Sequence, residues 1–382
     1  MNPASSAAMT SRQRVARTLA RQQPDRVPIY DSFWMEAECE FRRQLGCSLP
    51  PDESKLFTWD NSLAAARSRT IWEIFDMDLI QIGWPDCYLH QRPEIVVEET
   101  DEWVIYRNGD DALFKSWKHK MGTPERVSFA VNSPDKWREV RHLLVPSRQR
   151  IDWEVCRPVH ERARADDRYV CYATLEAFEA AKNLLGHEMM LKAMIKQPEW
   201  LQEIFETYTT LQIGLFELCE AEGLHSDGAF LYGDLAYKNG PFMSPDHYRR
   251  FVKPSHKRMG DYFAARGMPV IFHTDGDIRP LIDDLIDAGV NALNPLEAKA
   301  GVDVRQLAGQ YGDRLGFVGN IDARILATND REAIREELRT KLAATMPYCG
   351  YIYHSDHSVP PGVTLETYQQ LLDDVRTLGR YD

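Results

Sequence analysis

The sequence predicts an α/β fold: eight parallel strands, each followed by a helix, closing into a (β/α)8 TIM-type barrel with an antiparallel hairpin insertion after strand 2. Three observations predict it. Short apolar runs bounded by turn residues occur eight times, helical patterns separate most of them, and seven of the eight runs end on an acid, an amide or a histidine. Continuous apolar runs suit parallel strands buried on both faces, and alternation of strand and helix is the order of a barrel. Polar residues at the C-terminal ends of barrel strands converge on one face, where catalytic groups collect. A doubly wound open sheet would need a glycine-rich phosphate turn, which the sequence lacks.

The eight runs are 27–31, 78–84, 169–176, 228–234, 269–275, 292–297, 315–322 and 350–357. Helical periodicity marks 188–208, 246–266, 278–288, 304–311, 330–344 and 365–378. The alternation breaks between the second and third runs. There 94–99, 102–107 and 112–119 alternate apolar and polar residues around a turn at Asn108-Gly109-Asp110, which predicts antiparallel hairpins. A helical rhythm resumes at 148–167. The expectation is one domain over 1–382, with about 90–165 inserted as a lid or wall over the barrel mouth.

Composition narrows the function classes. The 382 residues are 43% apolar, enough for one large core. A net charge of -12 and a pI near 5.5 leave no basic bias for nucleic acid. Seven cysteines, an odd number without a CxxC, predict neither a disulfide framework nor a zinc knot, and fit reduced cytosolic thiols. The polar start of the chain lacks an apolar core for a signal peptide, and no run approaches the ~18–20 apolar residues of a membrane span. A cytoplasmic protein acting on a small molecule, with no nucleic-acid or membrane partner, is expected.

The strongest chemical signal is FHTDGD. His273 and Asp275 are two apart at a strand end, so both face the same side, just before Gly276 lets the chain turn. A histidine and a carboxylate so placed can share a metal ion or form a proton-transfer pair; a hydrogen-bonded pair without chemistry is the plain alternative. The last run ends in His354, Asp356 and His357 before Pro360-Pro361 stops it, and His357 is expected to join His273 across the mouth. Asp234, Glu176, Glu179, Glu297, Asn320 and Asp322 end or follow the other strands. Any one acid can simply cap a helix, and Asp322 is a fair example. A ring of acids at one mouth favours a cation, because like charges raise one another's pKa. The expected catalytic set is His273, Asp275, His357, Asp234 and Glu176. His273, Asp275, Glu297 and His357 form an N/O donor set acceptable to zinc or another divalent metal. Arg42 and Arg43 could meet an anion or lie solvated on a helix. Phe33, Trp34 and Trp84 could wall a pocket or belong to the core.

The segments GDLAYKNGPFMSPDHYRRFVKPSHKRM, FHTDGDIRPLIDDLIDAGVNALNPLE, YGDRLGFVGNID and HSDHSVPPGVTLETY resemble, in order and spacing, the uroporphyrinogen decarboxylase superfamily. The opening SRQRVARTLARQQPDRVPI fits as well. The resemblance implies an α/β barrel and one of two chemistries. True decarboxylases grip uroporphyrinogen with an RQAGRY loop after the first strand and an aspartate after the second. Here that loop reads YDSFWMEAECEFRR, and only Asp78 or Asp86 stands near the aspartate's place. His357 falls where the family's late histidine lies, and Asp234 near its substrate-contacting serine.

Among the cobamide-dependent methyltransferases of the same superfamily, the thiol-methylating members bind zinc through an HxC pair and a late cysteine. Here these become His273-Thr274-Asp275 and His357. The resemblance implies a metal-assisted methyltransferase working with a corrinoid protein, in which His273 and Asp275, with Glu297 and His357, form the core of the site. A possible homodimer is part of the same implication. Two alternatives stand beside it: decarboxylation of a porphyrinogen or another carboxylated aromatic, and a non-catalytic barrel that binds a corrinoid or partner protein.

Overall fold

The computed structural model describes residues 9–49, 69–119 and 124–381. In chain order its strands are β1 (Leu79–Gly83), β2 (Ile95–Glu99), β3 (Trp103–Arg107), β4 (Leu113–Trp117), β5 (Glu125–Ser128), β6 (Tyr169–Leu175), β7 (Gly228–Tyr232), β8 (Ala236–Tyr237), β9 (Gly240–Pro241), β10 (Val270–Thr274), β11 (Ala292–Pro295), β12 (Gly316–Val318) and β13 (Tyr351–Ile352). Seven of them form one curled parallel sheet, ordered β1-β6-β7-β10-β11-β12-β13. All of β1, β7 and β11 is buried. This is the reason those stretches read as unbroken apolar runs.

The first predicted strand, 27–31, is corrected. It is not a strand but an isolated parallel bridge between Ile29 and Tyr353. Tyr353 N–H donates to Pro28 O at 2.9 Å, and Tyr30 N–H to Tyr353 O at 3.0 Å. On its other side Asp78 N–H donates to Ile29 O at 2.7 Å. The segment thus ties β13 to the start of β1. A full ladder cannot form, because Pro28 has no N–H and the Ile29 N–H is taken by the Asp78 carboxylate, at 2.7 Å, rather than by a backbone carbonyl.

The hairpin region is a separate antiparallel sheet, ordered β2-β3-β4-β5. Asn108 builds its central turn by accepting the N–H groups of Asp110 and Ala112, each at 3.0 Å. Strand β5 was not anticipated. β2 lies at the sheet edge, and all five of its residues are exposed.

Helices Val304–Tyr311 and Leu365–Leu378 have the expected bounds. The expected helix over 188–208 is instead two, His187–Lys196 and Pro198–Ala221. Pro198 cannot donate into a preceding turn and begins a new helix. The stretch over 246–266 contains a π-helical turn, Tyr248–Val252, just ahead of Pro254, whose missing N–H leaves the Arg250 carbonyl outside the regular ladder. Helix Ala177–Leu185 had no forecast; Glu176 caps it. Among the described residues no helix is long and apolar enough to cross a membrane.

Candidate functional site

His273 lies at the end of β10, paired in register with Tyr232 of β7 and Asn294 of β11. Its Nδ1 is 2.7 Å from Asn294 Oδ1. Asn294 Nδ2 donates to Val318 O at 3.0 Å, so the amide oxygen faces the imidazole and must accept. The neutral ring therefore carries its proton on Nδ1 and turns the Nε2 lone pair to the mouth, toward Asp275 Oδ1 at 3.7 Å and Asp234 Oδ1 at 3.9 Å. Asp275 Oδ1 is buried without a hydrogen-bond partner among the described residues. Gly276, at φ +83°, then turns the chain against the backbone of Ala236 and Tyr237, where a Cβ would come within 2.6 Å.

From the other end of the sheet, His357 Nε2 reaches Asp275 Oδ2 at 3.5 Å. Ser358 N–H donates to His357 Nδ1 at 2.8 Å, which places the neutral ring's proton on Nε2, facing Asp275. Burial opposes a charge on His357, but the Asp275 carboxylate outweighs it and raises the imidazole above its ordinary range. Burial also opposes ionisation of Asp275. The hydrogen bond from His357, then positive charge on His273 and His357 and last on Lys299, overcome it and hold the carboxyl below the usual carboxylate range. Glu297 is raised by burial first and by Asp275 second; its oxygens hold Gly276 N–H at 2.9 Å and Lys299 Nζ at 2.6 Å.

Aromatic rings wall the opening. Trp34 stacks on His357 with centroids 5.5 Å apart, and Tyr232 lies between Trp84 (4.5 Å) and His273 (4.7 Å). Below them Gln81 Nε2 donates to both Tyr30 Oη (2.6 Å) and Tyr232 Oη (2.7 Å). Phe33 packs into the core against Phe41, Phe75 and Tyr368.

The structure brings His273, Asp275, His357, Asp234 and Glu297 together. Ligand atoms of Asp234, His273 and Asp275 lie within 4.8 Å of one another, as do those of Asp275, Glu297 and His357. It does not bring Glu176 to the mouth. Fully buried, Glu176 caps Phe178 and Glu179 N–H and lies 2.8 Å from His256 Nε2. His354 is buried against Ser32 Oγ at 3.2 Å, and burial lowers its pKa. Asp356 accepts the N–H groups of Ala298 and Ala323, Asn320 accepts Val304 N–H, and Asp322 caps the next helix. Arg42 is buried on Glu38 at 2.8 Å. Asp78 sits at the opposite, N-terminal end of β1, and Asp86 caps Tyr88 N–H beyond that strand.

Sequence reasoning missed Asn294, Lys299, Lys182 and Gln81. Asn294 and Gln81 had a readable signal: each is a polar residue inside an otherwise apolar strand. Lys182 lies 3.6 Å from Asp234 and also pairs with Glu179, a carboxyl that burial raises and Lys182 lowers.

A sequence model of the uroporphyrinogen decarboxylase (URO-D) family matches residues 155–378, and the chain belongs to that family. A uroporphyrinogen decarboxylase from Pelodictyon phaeoclathratiforme is 25% identical over 138 residues, covering 35% of this chain and 38% of that protein's length. Among solved structures, a methyltransferase from Methanosarcina mazei superposes with a TM-score of 0.68 at 17% identity, over 97% of this chain and 99% of that one. That likeness is one of fold.

Proposed function

We propose that the protein is a metal-assisted methyltransferase of the URO-D family, removing a methyl group from a small donor for a corrinoid carried by a partner protein. The fold is read as a (β/α)8 barrel in which 27–31 is the first stave and the antiparallel sheet a wall beside the mouth. The observation that carries the reading is the Nε2 lone pair of His273 turned toward two carboxylates, one with a buried, unpartnered oxygen. Three acceptor side chains, with only the Asp275 N–H donating to Asp234 Oδ1 at 3.2 Å, suit a cation. Their separations of 3.7 and 3.9 Å exceed an N–H···O hydrogen bond. They approach the roughly 3.4 Å between neighbouring ligands of a tetrahedral ion with bonds of about 2.1 Å.

The donor set fits a hard or borderline divalent ion rather than a thiolate-bound one. Asp234, His273 and Asp275 would hold it. Lys299 already neutralises Glu297, and His357 presents an N–H to Asp275, so these two support the carboxylate instead of completing the set. A bound divalent ion would act as a Lewis acid on the donor's heteroatom, and a reduced corrinoid would supply the nucleophile for the methyl group. Around it, His357 keeps Asp275 ionised, while Trp34, Trp84 and Tyr232 exclude water from the reacting atoms.

Equilibrium dialysis against zinc or cobalt, followed by incubation with cob(I)alamin and a panel of methylated donors, tests the reading. One equivalent of metal and a donor-dependent change of the cobalamin spectrum are expected, both lost in Asp275→Ala. Chelator-treated protein that still turns over would reject the metal. Carbon dioxide released from a carboxylated aromatic in place of methyl transfer would make the protein a decarboxylase.

A further inference from the structure

Beside the mouth, the antiparallel sheet meets the loop between helices Ala177–Leu185 and His187–Lys196. Arg126 of β5 donates from Nη2 to Asn183 Oδ1 at 2.8 Å, and its Nη1 lies 3.3 Å from His187 Nδ1. An arginine only donates, so His187 Nδ1 accepts and the ring's proton is on Nε2. Two donors are then left over. Arg126 Nε and His187 Nε2 are both buried, and neither has a hydrogen-bond partner among the described residues.

The surroundings are positive. His187 is pushed down to about 4, by burial first and then by the charges of Lys182 and Arg126, with Asp234 acting the other way. Lys182 is in turn 3.6 Å from Asp234, itself 3.9 Å from His273. Lys182 thus lies electrostatically between the Arg126 cluster and the mouth.

Arg126 and Asn183 line a cavity of about 100 Å3, together with Tyr88, Tyr106, Phe114 and Glu94. A single water needs only about 10–15 Å3, so the cavity takes a larger group. Tyr106 and Phe114 are stacked at 5.7 Å and offer flat apolar surface. Donors that lack acceptors call for a ligand oxygen, and a guanidinium fork matches a carboxylate. Glu94 on the same lining rejects a second negative charge.

We propose that Arg126 and Asn183, with His187 behind the guanidinium, form a carboxylate-recognising pocket against the antiparallel sheet that takes a flat aromatic monocarboxylate. The assignment goes beyond the methyltransferase reading and does not depend on it.

Titration calorimetry of the full chain with benzoate and with benzamide tests it. Benzoate should bind saturably and at least tenfold more tightly than benzamide. Arg126→Gln should remove that preference, and Asn183→Asp, nearly unchanged in shape, should do the same by placing a carboxylate on the guanidinium. Benzoate binding no better than benzamide, or unchanged benzoate affinity in both variants, overturns the proposal. Binding requires neither metal nor corrinoid, so the two readings fail separately. Benzoate held through Arg126 without any methyl transfer would sink the methyltransferase reading alone. Methyl transfer by a protein that binds no benzoate would sink the anion site alone.

Discussion

Asp275→Asn is expected to lower kcat/KM by at least about 10²-fold, within the ~10²–10⁴ typical of a group acting directly at the reacting centre. The carboxylate is the junction of the site: it faces His273 on one oxygen and His357 on the other, at 3.7 and 3.5 Å. Asparagine keeps the shape and deletes the charge. The sign of the accompanying titration follows from the geometry. Asp275 raises His357 against the cost of burial, so losing the charge should move His357 downward, toward and past its ordinary value. Imidazole proton NMR reads that shift without any turnover assay. Unchanged His357 titration in a folded Asp275→Asn protein would remove Asp275 from the centre of the site.

Asp78→Ala is expected to destabilise the fold by about 3–5 kcal/mol, the usual cost of leaving buried partners of an ion pair uncompensated. Asp78 is fully buried and is shared by Arg14 at 2.6 Å, Arg26 at 2.8 Å and Ser11 Oγ at 2.7 Å. It also holds the Ile29 N–H, which fastens the 27–31 segment to β1. Its loss opens the seam of the sheet at the end remote from the mouth. Urea unfolding measures this directly, and a midpoint within error of the wild type would show that the seam is held elsewhere. Activity per folded molecule should change far less than in Asp275→Asn.

Most strands were legible because parallel strands buried on both faces leave an unbroken apolar signature. The segment 27–31 carries that signature too, yet makes only a bridge. Its pairing depends on a side chain 49 positions away, which no local pattern encodes. The two helices at 187–196 and 198–221 read as one because both bury an apolar stripe, and Pro198 interrupts only the backbone ladder. In the site, His273, Asp275 and His357 were legible as polar residues ending apolar runs. Glu176 gave the same signal but spends its oxygens on a helix N-terminus and His256. Capping and chemistry ask for the same residue type at the same place, so the sequence cannot separate them. Arg126 was invisible for a different reason: its partners Asn183 and His187 meet it only through the docking of a separate sheet.

The outermost strand of that sheet has a colloidal consequence. Ile95, Val96 and Val97 stand about half exposed along an edge unpaired among the described residues, followed at once by Glu98 and Glu99. Open edges invite strand addition from another molecule, and charge is one of the devices that repels it. Here Glu98, next to a Glu99 that Lys118 pairs at 2.6 Å, guards three β-branched residues, and its repulsion is long-range and screened by electrolyte. Concentrated salt should therefore promote reversible self-association visible as rising light scattering, and Glu98→Gln with Glu99→Gln, which removes the charge, should bring the same scattering on at low salt.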